Sequence, residues 1–267
     1  MLMKNPQIGK VTLVGAGPGD PELLTMKALK AIQHADVIVH DRLVSPAVLA
    51  HAPEHVRKIS VGKQPGHHSV PQEQINELLV SLAFQGLNVT RLKGGDPLIF
   101  GRGGEELEAL REAGIACSCI PGITAAQGAA ASLQLPLTHR GLATGIRYVT
   151  GHRAANASLN LDWASLASAE TTLAVYMGAS TIGEITQALM DHGLSATTPV
   201  LAITSATTPH ESRMRSSLGK IAVAMADQNS GEPVLFIIGN VAALVELHEP
   251  AAAFMECAKA PNAYAPT

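Results

Sequence analysis

The sequence predicts an α/β protein with two α/β domains. Short segments rich in Val, Ile and Leu alternate with longer segments whose apolar residues recur at helical spacing. This alternation indicates strands of a mostly parallel sheet that are joined by helices. Several of the short segments end in glycine-rich loops. Ligands bind outside the carboxyl ends of such strands, so we expect these loops to meet at one edge and form the site.

The composition favours a compact protein and argues against several classes of function. The chain has 267 residues, of which 46% are hydrophobic and 15% charged, and its formal net charge is −3. A general nucleic-acid binder would carry a basic excess, although a few arginines can still bind an anionic ligand locally. The sequence shows neither a signal segment nor an apolar run of the ~18 residues needed to cross a membrane. We therefore expect a cytoplasmic protein without a nucleic-acid or membrane partner.

Metal and disulfide sites are not predicted. The three cysteines, Cys117, Cys119 and Cys257, contain no Cys-x-x-Cys pair, and such a sparse, odd set does not fit a disulfide framework or a zinc cluster. His67 and His68 are adjacent in the sequence. Their side chains cannot share a face of a regular element, and no third ligand lies nearby in the sequence, so we expect no metal.

The first half of the chain reads as a sequence of strands and helices. The short apolar segments predict strands at residues 11–15, 36–40, 57–61, 87–92 and 117–120. The segments with helical periodicity predict helices at residues 21–33, 71–86, 105–113 and 125–132. The last of these is built from small residues, which would let backbones or a ligand approach closely.

The first turn, residues 15–22, has the sequence Gly-Ala-Gly-Pro-Gly-Asp-Pro-Glu. Asp20 suits a helix N-cap and Pro21 the first helical position. A dinucleotide fingerprint would need a third glycine where Asp20 stands. Its carboxylate would repel a pyrophosphate, and Pro18 removes a backbone donor. We therefore expect a ligand other than a pyrophosphate, with a nicotinamide-dependent oxidoreductase as an alternative.

The most informative stretch is residues 93–106, Lys-Gly-Gly-Asp-Pro-Leu-Ile-Phe-Gly-Arg-Gly-Gly-Glu-Glu. It joins a predicted strand to a predicted helix, and its glycines allow close approach of the backbone to a ligand. Asp96 before a proline marks a turn. Arg102 presents a planar donor fork at the helix start, and Glu105 falls in the first helical turn, where the helix dipole favours an acid.

The second half repeats an α/β pattern after a junction of linker composition at residues 135–145. We place the boundary within it, with an N-terminal domain at residues 1–138, a C-terminal domain at 139–248 and a tail at 249–267. The pattern predicts strands at residues 146–150, 172–177, 199–204 and 233–238, an exposed antiparallel strand at 211–218, and helices at 162–167 and 182–192. The second sheet should therefore be mixed. Tyr176, Met177 and Gly178 end a strand at the predicted site edge.

Together these motifs resemble the tetrapyrrole methylases. The resemblance covers about residues 10–245, and the match at residues 91–106 and the segment Leu-Thr-His-Arg-Gly at 137–141 are specific within that family. The glycine-rich opening is shared by relatives that act on other substrates. The further matching stretches are residues 14–25, 41–44, 61–63 with His67 and Gln72, 121–125 and 176–178. The chain departs from the family at His40, where a tyrosine is common, and at residues 206–211, where relatives often read Gly-Thr-x-x-x-Gln.

The resemblance implies two α/β domains with an active-site cleft between them. It also implies an S-adenosylmethionine-dependent methyltransferase that works as a homodimer and releases S-adenosylhomocysteine. It implies two methyl transfers, to C2 and C7 of uroporphyrinogen III, through precorrin-1 to precorrin-2. The product would serve sirohaem, cobalamin or haem d1 synthesis. The cofactor-binding residues that it implies are Pro18, Gly94, Gly95, Asp96, Ile99, Thr124, Ala125, Tyr176, Met177 and Ala206.

The expected substrate is a polycarboxylate, so its site should contain local cations. Substrate binding is assigned to Lys63, Arg102, Arg140 and Met177. The catalytic residues are expected to be Arg102, Glu105, Arg140 and Asp41. The methylated carbon must lose a proton, which requires a base. Arg102 held by Glu105 is one candidate for this step, with carboxylate binding as its other role, and Asp41 is the competing base.

Other functions remain open at this point. A methylase of the same fold could act on a later corrinoid, an RNA or a protein. A non-catalytic ligand-binding protein is a third class. The Arg102–Glu105 pair and the segment Thr138-His139-Arg140 favour uroporphyrinogen III as the substrate.

Overall fold

The computed structural model describes residues 8–62, 70–152, 159–226 and 231–245, which form two five-stranded sheets. All strand pairs of the first sheet are parallel, and their order is β3-β2-β4-β1-β5. These strands are β1 (Val11–Gly15), β2 (Val37–His40), β3 (Arg57–Ser60), β4 (Val89–Lys93) and β5 (Cys117–Ile120). A parallel sheet turns all its strand ends of one kind to the same edge, and this positions the loops of the site.

The second sheet is mixed. Its order is β6-β7-β10-β8-β9; the β6–β7 pair is parallel and the other three pairs are antiparallel. Its strands are β6 (Gly145–Thr150), β7 (Thr171–Tyr176), β8 (Pro199–Thr204), β9 (Ser212–Ser217) and β10 (Val234–Ile238). The predicted combination of a parallel and a mixed sheet is therefore confirmed, including the exposed antiparallel strand.

Helices cover both faces of the first sheet, because β1, β2 and β4 are apolar on both sides. One core joins these strands to α3 and α4, and another joins them to α1 and α2. The helices are α1 (Met26–Gln33), α2 (Pro46–Leu49), α3 (Gln72–Phe84), α4 (Gly103–Glu112), α5 (Ala125–Ser132), α6 (Trp163–Leu166), α7 (Ile182–Asp191) and α8 (Ile221–Met225).

The single helix predicted at residues 21–33 is wrong. Asp20 caps a short 3-10 turn, Pro21–Leu23, and Thr25 then caps α1 by accepting a hydrogen bond from the Ala28 amide. Two consecutive N-caps divide the segment, since each favours an extended backbone just before a helix. Other predicted ends are shifted by one or two residues. Sequence analysis missed α2, α8 and a 3-10 turn at Asn240–Leu244.

Helix α5 connects the two sheets. Its buried alanines, Ala126, Ala129 and Ala130, pack with Leu201 and Ile237 of the second sheet. Its N-terminus follows β5 of the first sheet directly. Small side chains are needed here, because a Cβ on Gly128 would lie 2.5 Å from the Pro18 ring. The two sheets are thus held together by a helix that belongs in sequence to the first half. The domain boundary at residue 138 stays a prediction, and the tail at 249–267 lies outside the described residues.

Candidate active site

A cleft of about 1350 Å³ lies at the carboxyl ends of β1, β2 and β4, as the sequence predicts. Three loops of the first sheet form one side, and the end of β7, the loop after β8 and the start of β10 form the other. The first residues of α5 complete the wall. Both halves of the chain therefore contribute to the same cavity.

Bare backbone forms the floor of this cleft. Gly17 and Gly95 exchange two backbone hydrogen bonds, with N···O distances of 2.7 and 3.2 Å, and both have positive φ. A Cβ on Gly122 would lie 2.2 Å from the Gly95 carbonyl oxygen. Glycine is thus required where the loops after β1, β4 and β5 touch. In this arrangement, which we call the glycine cradle (Gly15, Gly17, Gly95 and Gly122), the main chain of Gly17 and Gly95 lines the cavity.

Asp96 ties two of these loops together. Its carboxylate accepts hydrogen bonds from the Leu98 amide at 2.8 Å and the Gly122 amide at 3.1 Å. Thr124 caps α5 by accepting a hydrogen bond from the Gln127 amide. These short polar side chains fix the loop backbone, so the wall that faces the cleft is preorganised.

Three aromatic rings meet where the two halves face each other. The Tyr176 ring lies 5.1 Å from that of Phe100 and 5.7 Å from that of Tyr148, in tilted and edge-on contacts. The Tyr176 hydroxyl accepts a hydrogen bond from the Ala126 amide at 3.1 Å, and burial raises its pKa. Tyr176 of the second sheet therefore contacts both α5 and the loop after β4.

Left-handed backbone conformations concentrate around the cleft. Six non-glycine residues of the described chain have positive φ, and all but Gln134 line the cavity. Such conformations cost free energy and persist where the surroundings enforce them, commonly at ligand sites. The five lining residues are Phe100, Arg102, Met177, Ser205 and Thr207.

A buried ionic cluster of Asp41, Arg91, Lys93 and Glu106 lies beneath the cleft, and we call it the buried cluster. Arg91 and Lys93 point to the same face of β4, two positions apart. Arg91 Nη2 lies 2.6 Å from Asp41 Oδ1 and 3.0 Å from Glu106 Oε1. Lys93 Nζ lies 2.9 Å from Glu106 Oε1 and 3.8 Å from Asp41 Oδ2.

The burial of this cluster differs from one member to the next. Residues Arg91, Lys93 and Glu106 are at most 2% exposed, whereas the Asp41 side chain is 32% exposed and lines the cleft. Burial, reinforced by neighbouring Arg91, lowers the pKa of Lys93. Within the described chain, Glu106 Oε2 has no hydrogen-bond partner. Asp41 is thus the member of the cluster whose charged group is exposed to the cleft.

A second ion pair, Arg102 with Glu105, lies at the rim and is solvent-exposed. Arg102 Nε and Nη2 donate to the two Glu105 oxygens at 2.8 and 2.7 Å. Hydrogen bonding to Glu105 raises the pKa of Arg102, and the same bond lowers that of Glu105. Both side chains are more than half exposed. Arg102 is therefore a charged donor at the rim and not a proton acceptor, because its guanidinium is held in the protonated form.

The structure brings most of the expected site residues into one cavity. The lining contains Asp41, Arg102 and all ten expected cofactor residues: Pro18, Gly94, Gly95, Asp96, Ile99, Thr124, Ala125, Tyr176, Met177 and Ala206. Glu105 contacts the cavity only through Arg102. Arg140 is exposed near the junction and does not line the cavity. Lys63, His67, His68 and Arg153 lie outside the described residues.

The sequence patterns did not mark Arg91, Lys93, Glu106 and Phe100 as residues of the site. The alternate positions of Arg91 and Lys93 in a central strand could have indicated a buried charge group, because buried charges need partners. Within the described part of the chain, no group of three or more His, Cys, Asp or Glu side chains is arranged to bind a metal. Nor is any helix in those ranges long and apolar enough to cross a membrane.

The fold and the cleft define an α/β protein that binds a ligand between a parallel and a mixed sheet. Over residues 10–222 the chain matches the family of Tetrapyrrole (Corrin/Porphyrin) Methylases, and it belongs to that family. The uroporphyrinogen-III C-methyltransferase of Paracoccus denitrificans is 62% identical over 239 residues, which are 90% of this chain and 83% of that protein.

Two further comparisons extend this result. The siroheme synthase of Yersinia pestis is 51% identical over 238 residues, which are 89% of this chain but 50% of that longer protein. The crystal structure of uroporphyrin-III C-methyl transferase from Thermus thermophilus, complexed with S-adenyl homocysteine, is 41% identical. It superposes with a TM-score of 0.76 and covers 88% of this chain and 100% of that chain.

Proposed function

We infer that this chain is an S-adenosylmethionine-dependent methyltransferase that acts on uroporphyrinogen III. The observation that carries this conclusion is the 62% identity with the Paracoccus denitrificans enzyme over 90% of the chain. The cleft at the expected sheet edge supports it, since it gathers all ten expected cofactor residues. The reaction adds methyl groups at C2 and C7 and gives precorrin-2 through precorrin-1.

The residues of the cleft fit S-adenosylmethionine. The glycine cradle offers bare backbone, and Ile99, Met177 and Ala206 offer apolar surface for an adenine ring. Several acids line the same cavity and suit a cationic ligand. They are Asp20, Glu22, Asp41, Asp96 and Glu232. When bound, S-adenosylmethionine supplies an electrophilic methyl group and leaves as S-adenosylhomocysteine.

Methyl transfer mainly requires that the sulfur, the methyl group and the accepting carbon lie in line, so the main task of the chain is to position donor and substrate. Loss of the proton afterwards needs a base. Asp41 is the better candidate, because it lines the cavity and its Oδ2 accepts no hydrogen bond from any described residue. Arg102 is a poor base, since Glu105 raises its pKa. We therefore propose Asp41 as the proton acceptor.

Arg102 binds a carboxylate of the macrocycle in this proposal. Glu105 orients the rim arginine through two hydrogen bonds, and Nη1 of Arg102 takes no part in that pair. Arg42, also in the cavity lining, provides a second exposed cation. Arg140 and Lys63 stay proposed substrate contacts, and their roles depend on the bound macrocycle.

The direct test is an incubation of the purified chain with uroporphyrinogen III and S-adenosylmethionine under anaerobic conditions. We expect a red, fluorescent product with two added methyl groups in its mass spectrum. No methylated product would contradict the function. Binding of NADPH at micromolar concentration, without binding of S-adenosylhomocysteine, would favour an oxidoreductase instead.

We also propose an oligomeric state, a cellular compartment and a pathway for this protein. We expect a cytoplasmic homodimer whose product serves sirohaem, cobalamin or haem d1 synthesis. The match to half of a siroheme synthase supports the first pathway. Light scattering after gel filtration measures the mass, and a single monomer peak at micromolar concentration would contradict the dimer.

A further inference from the structure

The buried cluster presents one carboxylate to the cleft in an asymmetric way. Arg91 Nη2 binds Asp41 Oδ1 at 2.6 Å, which fixes that oxygen. Lys93 Nζ lies 3.8 Å from the other oxygen, Oδ2, too far for a hydrogen bond but close enough for a strong attraction. Asp41 Oδ2 is therefore close to a cation while its acceptor capacity stays open.

The position of Lys93 depends on Glu106. Lys93 Nζ donates to Glu106 Oε1 at 2.9 Å, and Arg91 Nε and Gln72 Nε2 donate to the same oxygen. Glu106 is fully buried in the first turns of α4. One carboxylate oxygen thus holds both cations of β4 in place, and Lys93 cannot move toward Asp41 without lengthening this bond.

Stability alone does not explain the cluster. Burying charges costs desolvation free energy, and replacing a buried ion group by apolar residues is often neutral or stabilising. Lys93 stands at the carboxyl end of the central strand and lines the cleft, although it is only 2% exposed. A charge buried at that place attracts the Asp41 carboxylate at short range.

We propose that Lys93, held by Glu106, is a positioning residue that draws Asp41 Oδ2 into place by its charge and leaves that oxygen open to take the proton from the methylated macrocycle. This inference rests on the proposed function. In the step, a C–H bond of the methylated macrocycle breaks and an O–H bond forms on Asp41 Oδ2. The electron pair of the C–H bond stays in the macrocycle and neutralises the positive charge that methylation leaves there. No other reactant is needed.

The charges that face Asp41 come from several elements. Arg91 and Lys93 approach from β4, and Glu106 approaches through them from α4. On its own segment Asp41 is flanked by His40, whose ring nitrogen contacts the Asp41 carbonyl oxygen, and by exposed Arg42. Lys93 makes no hydrogen bond to Asp41, so replacing it while neutralising Glu106 keeps the Arg91 hydrogen bond to Asp41 in place.

The test uses the double variant Lys93→Met/Glu106→Gln in the full chain, because it removes one charge of each sign. It is compared with the wild type, with Asp41→Asn and with the combination of all three substitutions. Binding of S-adenosylhomocysteine, measured by calorimetry, should stay within about twofold of the wild type. The double variant should lower kcat about tenfold to a hundredfold, at or below the roughly hundredfold to ten-thousandfold contribution of a general base. KM for uroporphyrinogen III should stay within about threefold, because the change disturbs the alignment of the base and not the binding of the macrocycle.

The triple variant separates positioning from an independent effect. If Lys93 acts through Asp41, adding the double change to Asp41→Asn causes no further loss of kcat. Losses that multiply in the triple variant would overturn the inference, as would a double variant with the kcat of the wild type.

A second variant, Lys93→Arg, retains the positive charge and the partner Glu106, so it puts less strain on folding. It should keep kcat within about threefold of the wild type. A loss of kcat in Lys93→Arg as large as in the double variant would overturn a role based on charge. If the wild type itself forms no methylated product, the proposed function fails. If the wild type is active and the double variant has the same kcat, only this inference fails.

Discussion

The buried cluster and the rim pair Arg102–Glu105 show two uses of opposite charges around one cavity. In the buried cluster, Arg91 and Glu106 are almost completely excluded from water. At the rim, Arg102 and Glu105 are 56% and 52% exposed. Charges interact strongly in the interior and are screened at the surface. The first group can therefore tune a carboxylate inside the cleft, whereas the second can only orient a donor fork toward a charged ligand.

The largest effect should follow from breaking the buried cluster at Arg91. Arg91→Met leaves Asp41 Oδ1 without its donor and removes one of the cations on Glu106. Loss of one partner from a buried ion group costs about 3–5 kcal/mol of unfolding free energy. Urea unfolding followed by circular dichroism measures it, with Arg111→Met on the exposed face of α4 as the control. A fall in unfolding free energy of less than about 1 kcal/mol would mean that the buried cluster stabilises the fold no more than an exposed pair does.

The pH dependence of stability sharpens the same comparison. The folded-state pKa of Lys93 is lowered by burial, so its ordinary value of 10.5 applies only to the unfolded chain. The unfolded state therefore binds the proton more tightly, and this opposes folding below the folded-state pKa. The opposing contribution fades as pH rises toward 10.5. The unfolding free energy of the wild type should thus increase with pH above neutrality relative to Lys93→Met/Glu106→Gln. A constant difference between about pH 7 and about pH 10 would contradict this expectation.

At the rim, Arg102→Lys tests the donor fork. Lysine keeps the charge but loses the planar geometry that pairs with a carboxylate. We expect KM for uroporphyrinogen III to rise about tenfold, which corresponds to about 1.4 kcal/mol, with kcat within about threefold. Steady-state kinetics measure both, and Arg111→Lys is the control. An unchanged KM would exclude a role for the fork, and a collapse of kcat alone would return Arg102 to the proton-removal step.

The smallest effect should come from Glu105→Gln on stability. An exposed pair contributes less than about 1 kcal/mol. Because Arg102 lowers the pKa of Glu105, this contribution is present above the unfolded-state pKa near 4.5 and is lost as pH falls through the folded-state pKa. Urea unfolding at neutral and acidic pH measures it, against Glu108→Gln on the same helix. A loss of several kcal/mol would mean that the rim pair behaves like the buried one.

Much of the fold could be predicted from the sequence because its strands are short apolar segments that end in glycine loops. Parallel connectivity predicts that the loops at Gly15, Gly62, Gly94 and Gly122 meet at one edge, and the cavity uses those after β1 and β4. The loop after β2, which carries Asp41, joins them only in the folded structure. The division of residues 21–33 was missed, since two N-caps within one amphipathic stretch leave its periodicity unchanged. Local pattern predicts where an element begins only when a single cap competes for it.

The buried cluster could not be predicted in the same way. Its members come from β2, β4 and α4, and only the tertiary packing brings Asp41 and Glu106 to the two cations of β4. Their alternation in the sequence indicates that Arg91 and Lys93 share one face of the strand, but not which carboxylates pair with them. Arg140 shows the opposite case, because its motif marks it while the structure leaves it exposed beside the cavity. Motifs identify residues, and packing decides which charges face each other.

The packing of α5 has a consequence for any attempt to divide the molecule. A fragment that ends at residue 138 would retain α5 but lose the second sheet that covers Ala126, Ala129 and Ala130. The remaining fragment would in turn expose Leu201 and Ile237. Each piece would present an apolar face that matches the other, so the two fragments should reassemble by complementation rather than persist as separate modules. The ligand would then bind only to the reassembled pair, because each piece carries one wall of the cleft.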